Sequence, residues 1–143
     1  MTQEEKNLLL EDLCGRLSYG MRVSAIYEHT GTWHNGGMIG IDVTENEDGP
    51  SFQIEFDKPI PFAGWAGIKE VKPYLRPMSS MTKEEYNELC KSCTWLWFKD
   101  DLRTVTHGDY KCYDWLNAHH FDFRGLIEAD LALEAPEDMY KTK

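Results

Sequence analysis

No stretch of the sequence is apolar over the roughly 20 residues needed to cross a bilayer. Its first residues, Met-Thr-Gln-Glu-Glu-Lys, lack the basic stretch and apolar run of a secretory signal. The chain is therefore expected to stay in the cytoplasm, with no membrane partner. Basic residues are scarce too: 15 Lys and Arg against 25 Asp and Glu give a formal net charge of −10. Affinity for nucleic acid depends on neutralising phosphates with Lys and Arg, so general nucleic-acid binding is not expected. Acids outnumber bases 12 to 7 over residues 1–78 and 13 to 8 over 79–143, so each half carries −5 and the charge is spread rather than gathered in a tail. Low-complexity tracts and internal repeats are absent. In a reducing compartment the four cysteines are expected to be thiols or metal ligands, not a disulfide framework.

What the sequence does have is rings. Five Trp and seven Tyr contribute to a 13% aromatic content in a chain that is 41% hydrophobic, so aromatics supply a large share of the apolar area and are expected on a surface as well as in a core. The 143 residues suffice for one ordinary domain, or a small domain with an appendage packed on it.

Hydrophobic periodicity divides the chain. Thr2 and Glu5 have the spacing of a capping box, and Leu10, Leu13, Cys14 and Leu17 recur as one buried helical face, ending between Gly15 and Gly20. From Met21 the period becomes two: Met21, Val23, Ala25 and Tyr27 alternate with Arg22, Ser24, Ile26 and Glu28 in a half-buried strand. Residues 30–37 are expected to form a glycine-rich loop with Trp33 and His34 at its tip. Strands follow over residues 38–43 and 52–57, joined by an acidic turn over 45–50. A second aromatic loop ends at Trp65, and a last strand over 67–75 contains Pro73, which argues for an edge.

Four or five short strands with tight connections predict a small closed barrel, SH3-like or OB-like, because closure protects sheet edges. The fold class is therefore α+β: an N-terminal helix, a small β-barrel and a helical C-terminal segment, with residues 1–78 as helix plus barrel and 79–143 as helices packed on it. In the second part Thr82 and Glu85 form another capping box, with Tyr86, Leu89, Cys90, Cys93 and Trp97 on a helical face. Residues 99–111 read as a polar loop or frayed hairpin. Asp114 is an expected N-cap, and Asp122 another that starts a helix carrying Leu126 and Ile127.

Three stretches look familiar together: Asp12-Leu-Cys-Gly-Arg-Leu-Ser-Tyr-Gly20, Lys72-Pro-Tyr-Leu-Arg-Pro-Met-Ser-Ser-Met-Thr82 and Asp114-Trp-Leu-Asn-Ala-His-His-Phe-Asp-Phe-Arg-Gly-Leu-Ile127. They resemble a family of small proteins encoded by phages and mobile elements of gut bacteria. No activity is established for that family, so the resemblance implies a setting: a cytoplasmic accessory protein whose partner is a host defence protein or a small nucleotide signal.

Each candidate for chemistry has a structural counter-reading. Cys90 and Cys93 have the C-x-x-C spacing of a zinc or redox pair that Cys112, His107, His119 or His120 can complete; equally, cysteine packs as a small hydrophobe, and the second C-x-x-C is missing. His119, His120 and Asp122, with His107 and Asp109, offer imidazoles and carboxylates for a metal- or histidine-dependent hydrolase, but capping and helix-end electrostatics explain them as well. No catalytic residue, metal ligand or cofactor is assigned. The ligand surface is expected at Trp33, His34, Trp65, Lys72, Tyr74 and Arg76, where rings beside cations suit a base and its phosphate, or a protein interface, with a homo-oligomer as one way to build it.

Overall fold

The structure is a computed structural model and describes residues 1–27, 32–46, 49–57, 65–93, 96–99 and 104–140. The chain forms two compact units, Met1–Tyr74 and Leu75–Lys143.

In the first unit, helix α1 (Gln3–Arg16) starts as its sequence dictates: Thr2 Oγ1 accepts from the Glu5 amide, and the Glu5 carboxylate accepts from the Thr2 amide. The buried face differs from the expected one. It is Leu9, Asp12, Leu13 and Arg16, while Cys14 is exposed and Leu10 and Leu17 only partly covered. The face turns by one residue because Asp12 and Arg16 bury each other as an ion pair. Arg16 Nη2 lies 2.8 Å from Asp12 Oδ1 and Nε lies 2.9 Å from Oδ2, and both side chains are 0% exposed. After a 3-10 turn (Leu17–Tyr19), Gly20 at φ 70° closes the helix in the left-handed conformation that glycine adopts without strain.

Strands β1 (Arg22–Tyr27), β2 (Thr32–Asn46), β3 (Gly49–Phe56) and β4 (Trp65–Gly67) follow. A 3-10 turn (Ile68–Glu70) then leads into β5 (Val71–Leu75). Their order across the sheet is β4-β3-β2-β1-β5, every neighbouring pair antiparallel. The sheet is open: no pairing joins β4 to β5 among the described residues, and barrel closure is not seen. β2 serves two partners. Its first six residues pair with β1, and from Met38 onward it pairs with β3, with a register shift between Met38 and Gly40. Leu9, Leu13, Met21, Val23, Ala25, Met38, Ile54, Ile68 and Val71 are buried in this unit. α1 packs on the turn that carries Ile68. Pro73 stands opposite Val23, and its strand is not the edge expected for it, because β5 lies between β1 and a short strand over Leu133–Glu134.

The second unit is less purely helical than its sequence suggests. It holds a 3-10 turn (Met78–Ser80), α2 (Lys83–Ser92), a hairpin of β6 (Leu96–Lys99) and β7 (Thr104–Gly108), α3 (Tyr110–Ala118) and the short β8 (Leu133–Glu134). Thr82 and Glu85 form the expected capping box. Trp97 lies in β6 rather than on the α2 face, and Tyr86 and Cys90 are exposed on α2, leaving Leu89 as its buried residue. The cap of α3 is Asp109, one turn earlier than Asp114, and it accepts from the Cys112 amide. Asp122 starts no helix; its two oxygens accept from the Leu126 and Ile127 amides and hold a turn. Met78, Leu89, Leu116, Phe121 and Phe123 form the core, with Met81, Cys93, Tyr113 and Trp115 packed against it.

Candidate functional site

The sequence-predicted surface divides between the units. In the first, the described part lies on β2 and β5. The Tyr74 hydroxyl donates to Asn35 Oδ1 at 3.0 Å, and Lys72 stands opposite Ser24, which in turn stands opposite Asn35. Side chains alternate along strands, so Lys72 and Tyr74 share one parity of the ladder. Residues 32–37 are not a loop, as expected, but the first half of β2. Trp33 occupies the register position opposite Ile26, and His34 that opposite Ala25. Trp65 likewise belongs to β4, opposite Glu55. The glycines that suggested a loop serve a close approach instead. Gly37 donates to Asp57 Oδ1 at 3.0 Å, and a Cβ there would lie 2.7 Å from Asp57 Oδ2. Residues 28–31, 47–48 and 58–64, which include the rest of the expected loops, lie outside the described residues.

Arg76 belongs to the second unit, and there it is a structural centre. Its amide donates to the His120 carbonyl at 2.7 Å, and its carbonyl accepts from the Asp122 amide at 2.8 Å. Its guanidinium lies 4.1 Å above the Phe121 ring and makes a two-pronged pair with Glu85, at 2.7 and 2.8 Å. That hydrogen bonding holds the Glu85 carboxyl down at about 2, against an ordinary value of 4.5. Two of the three stretches that carry the resemblance thus meet at Arg76 and Phe121. Their residue types follow from this contact as readily as from any ligand.

Beside the pair opens a cleft of about 780 Å³, lined in part by Arg76, Ser80, Glu85, His119, Glu134 and Tyr140. His119 stacks on Trp115 at 3.9 Å, and its Nδ1 lies 2.8 Å from the Trp115 carbonyl oxygen. A carbonyl only accepts, so Nδ1 carries the proton in the neutral ring and Nε2 holds the lone pair. His120 is buried and stacks on Tyr140 at 3.7 Å. It adopts φ 62° because α3 ends there: the Phe121 amide bonds to the Leu116 carbonyl and the His120 amide to the Asn117 carbonyl, a Schellman closure that usually takes glycine. His119 therefore lies on the cleft rim, His120 stacks on Tyr140, and Asp122 holds backbone amides.

The cysteines rearrange as well. Cys93 is joined to Cys112 as a disulfide, whereas Cys14 and Cys90 are free and exposed. The expectation that the cysteines are thiols or metal ligands rather than disulfides is corrected at Cys93 and Cys112. The C-x-x-C pair is also split, because Cys90 shares an exposed face with Tyr86, whose hydroxyl pKa it raises through a hydrogen bond, while Cys93 ends α2 facing α3. Sequence reading missed the Arg76–Glu85 and Cys93–Cys112 partnerships, which no local spacing announces. Asp12 and Arg16 did carry a signal, opposite charges one helical turn apart.

No protein-family model, curated protein or solved structure matches the chain.

Proposed function

We propose that this chain is a non-enzymatic, phage-encoded accessory protein of the host cytoplasm that binds a host defence protein, with its sheet as an SH3-like small barrel. The barrel reading rests on β2, which changes partner at its register shift; strands that switch sheets at a bulge make the corners of orthogonally packed small β-structures. A five-stranded order in which the last strand returns beside the first favours the SH3-like type over the OB-like type.

The observation that carries the choice of partner is the state of Arg76. Its guanidinium is committed to Glu85 and Phe121, which withdraws from any phosphate the strongest anion-binding group of the expected surface. The cleft beside it adds Glu134 and Glu137 rather than cations. With a net charge of −10, the chain is suited to a basic protein surface, for which charge complementarity speeds encounter and selects the partner. Lys72, Tyr74 and Asn35 on the sheet, with the register positions of Trp33 and Trp65, form the proposed contact surface.

A second reading, sequestration of a nucleotide signal by an oligomer of the chain, keeps Lys72 and the rings as its support. The hydrolase reading loses support at Asp122, both of whose oxygens accept from backbone amides. Native mass spectrometry before and after exposure to an extract of phage-challenged cells separates them. A bare protein that captures a host protein supports our proposal, provided Trp33→Ala with Trp65→Ala abolishes capture while the variant stays folded. Full capture by that variant overturns the proposed surface, and a retained nucleotide-sized mass overturns the proposed partner.

A further inference from the structure

Cys93, Cys112 and Asp109 stand together at the junction of α2 and α3. Cys93 is the C-cap of α2, Asp109 the N-cap of α3, and Cys112 lies one helical turn beyond Asp109. One ligand atom from each lies within 4.8 Å of the others, and Cys112 Sγ is 3.0 Å from Asp109 Oδ1. Cys112 is fully buried, and Cys93 and Asp109 are partly covered. Two sulfurs and a carboxylate oxygen at this spacing are a donor set for a borderline-soft divalent ion. Zinc bonds to thiolate at about 2.3 Å and to carboxylate oxygen at about 2.0–2.2 Å, and tetrahedral coordination sets two sulfurs about 3.8 Å apart. The Cα atoms of the two cysteines are 5.0 Å apart, so side-chain rotation, with little backbone movement, takes the sulfurs from the bonded arrangement to the coordinating one. The site's position at the first turn of α3 also favours the thiolate of Cys112, since free helix amides stabilise negative charge there.

We propose that, when reduced, Cys93 and Cys112 together with Asp109 bind one zinc ion, and that the disulfide is the metal-free form of the same site. The chemistry balances with a dithiol as reductant. Two electrons and two protons pass from the dithiol to the Cys93–Cys112 bond, giving two protein thiols and the oxidised, disulfide form of the reductant. Zinc then displaces two protons as the thiolates bind, Asp109 supplies the third ligand and water the fourth. Cys90 takes no part, because it lies on the exposed face of α2. In this proposal Cys93 is joined by Cys112, 19 residues downstream, rather than by Cys90 of the C-x-x-C spacing.

The test uses the full chain, reduced with a phosphine that does not compete for metal and titrated with Co²⁺ and Zn²⁺. The expected result is one equivalent bound, a thiolate-to-cobalt charge-transfer band in the near ultraviolet, and displacement of cobalt by zinc. Cys90→Ser leaves the stoichiometry and band intact. Asp109→Asn keeps a good helix cap but removes the anionic ligand, and is expected to weaken zinc binding by about tenfold or more, since even outer-sphere partners are worth about 10–100-fold. Absence of the band in the reduced wild-type chain overturns the proposal without recourse to any variant. Equal affinity in Asp109→Asn, or loss of the band in Cys90→Ser, overturns the assigned ligand set.

Discussion

The buried pair of Asp12 and Arg16 is the most exacting arrangement at the scale of single residues. Both side chains are 0% exposed, and two charges removed from water are tolerable only while each satisfies the other. Asp12→Ala leaves a buried guanidinium without this carboxylate, and is expected to destabilise the first unit by about 3–5 kcal/mol. Urea unfolding followed by far-ultraviolet circular dichroism measures this, and a loss below about 1 kcal/mol would mean that water reaches Arg16. Glu85 gives a pH signature instead. Its folded value of about 2 lies below the ordinary 4.5 because Arg76 hydrogen-bonds the carboxylate. The stabilisation is therefore fully present above about 4.5 and fades as pH falls toward about 2. We expect it to be about 1–2 kcal/mol, reduced by solvent screening because Glu85 is 20% exposed. Glu85→Gln is expected to be less stable at neutral pH and to lose less on acidification, read from urea midpoints across the acid range; parallel curves for the two proteins would contradict the assignment.

At the scale of elements, the capping boxes of α1 and α2 decide where those helices begin. Thr82→Ala removes an acceptor for the Glu85 amide and is expected to cost about 1 kcal/mol, with faster hydrogen exchange confined to the first turn of α2. Exchange quickened throughout α2 would show instead that the cap governs the whole helix. The strands repay a closer look at β2. Alternation of apolar residues correctly marked residues 38–43 as extended, but the glycines at 36 and 37 were read as loop because no local pattern shows that Gly37 must admit the Asp57 carboxylate. Trp33 stands in the ladder with β1, opposite Ile26, rather than at a loop tip. For α3 the start moved from Asp114 to Asp109, since both acids have cap chemistry and only the preceding hairpin determines which one meets free amides.

For the whole molecule, the division into two units matters because the expected contact residues fall on both sides of it. Lys72 and Tyr74 belong to the first unit and Arg76 to the second. If the sheet surface captures the partner, Lys72→Glu and Tyr74→Ala are each expected to reduce capture at least about tenfold, as at interface hot spots, while Arg76→Lys lowers stability more than binding. Titration of an identified host partner by calorimetry, with thermal melts alongside, reads both quantities. Capture that depends on Arg76 alone, with unchanged melting, would move the contact surface to the cleft of the second unit.

The sequence by itself determined what is local. The two helix starts follow from hydroxyl and carboxylate three residues apart, the strand parity of β1 and β5 from period-two alternation, and the α+β class from their succession. Only the tertiary structure decided which polar groups are consumed internally. Arg76 finds Glu85 across a 3-10 turn and Phe121 across 45 positions of sequence, and Cys93 finds Cys112 across a hairpin. Those partnerships depend on how elements are brought together. A side chain's chemistry announces what it can do, but its neighbours in space decide whether that capacity is offered to a ligand or used to hold the fold.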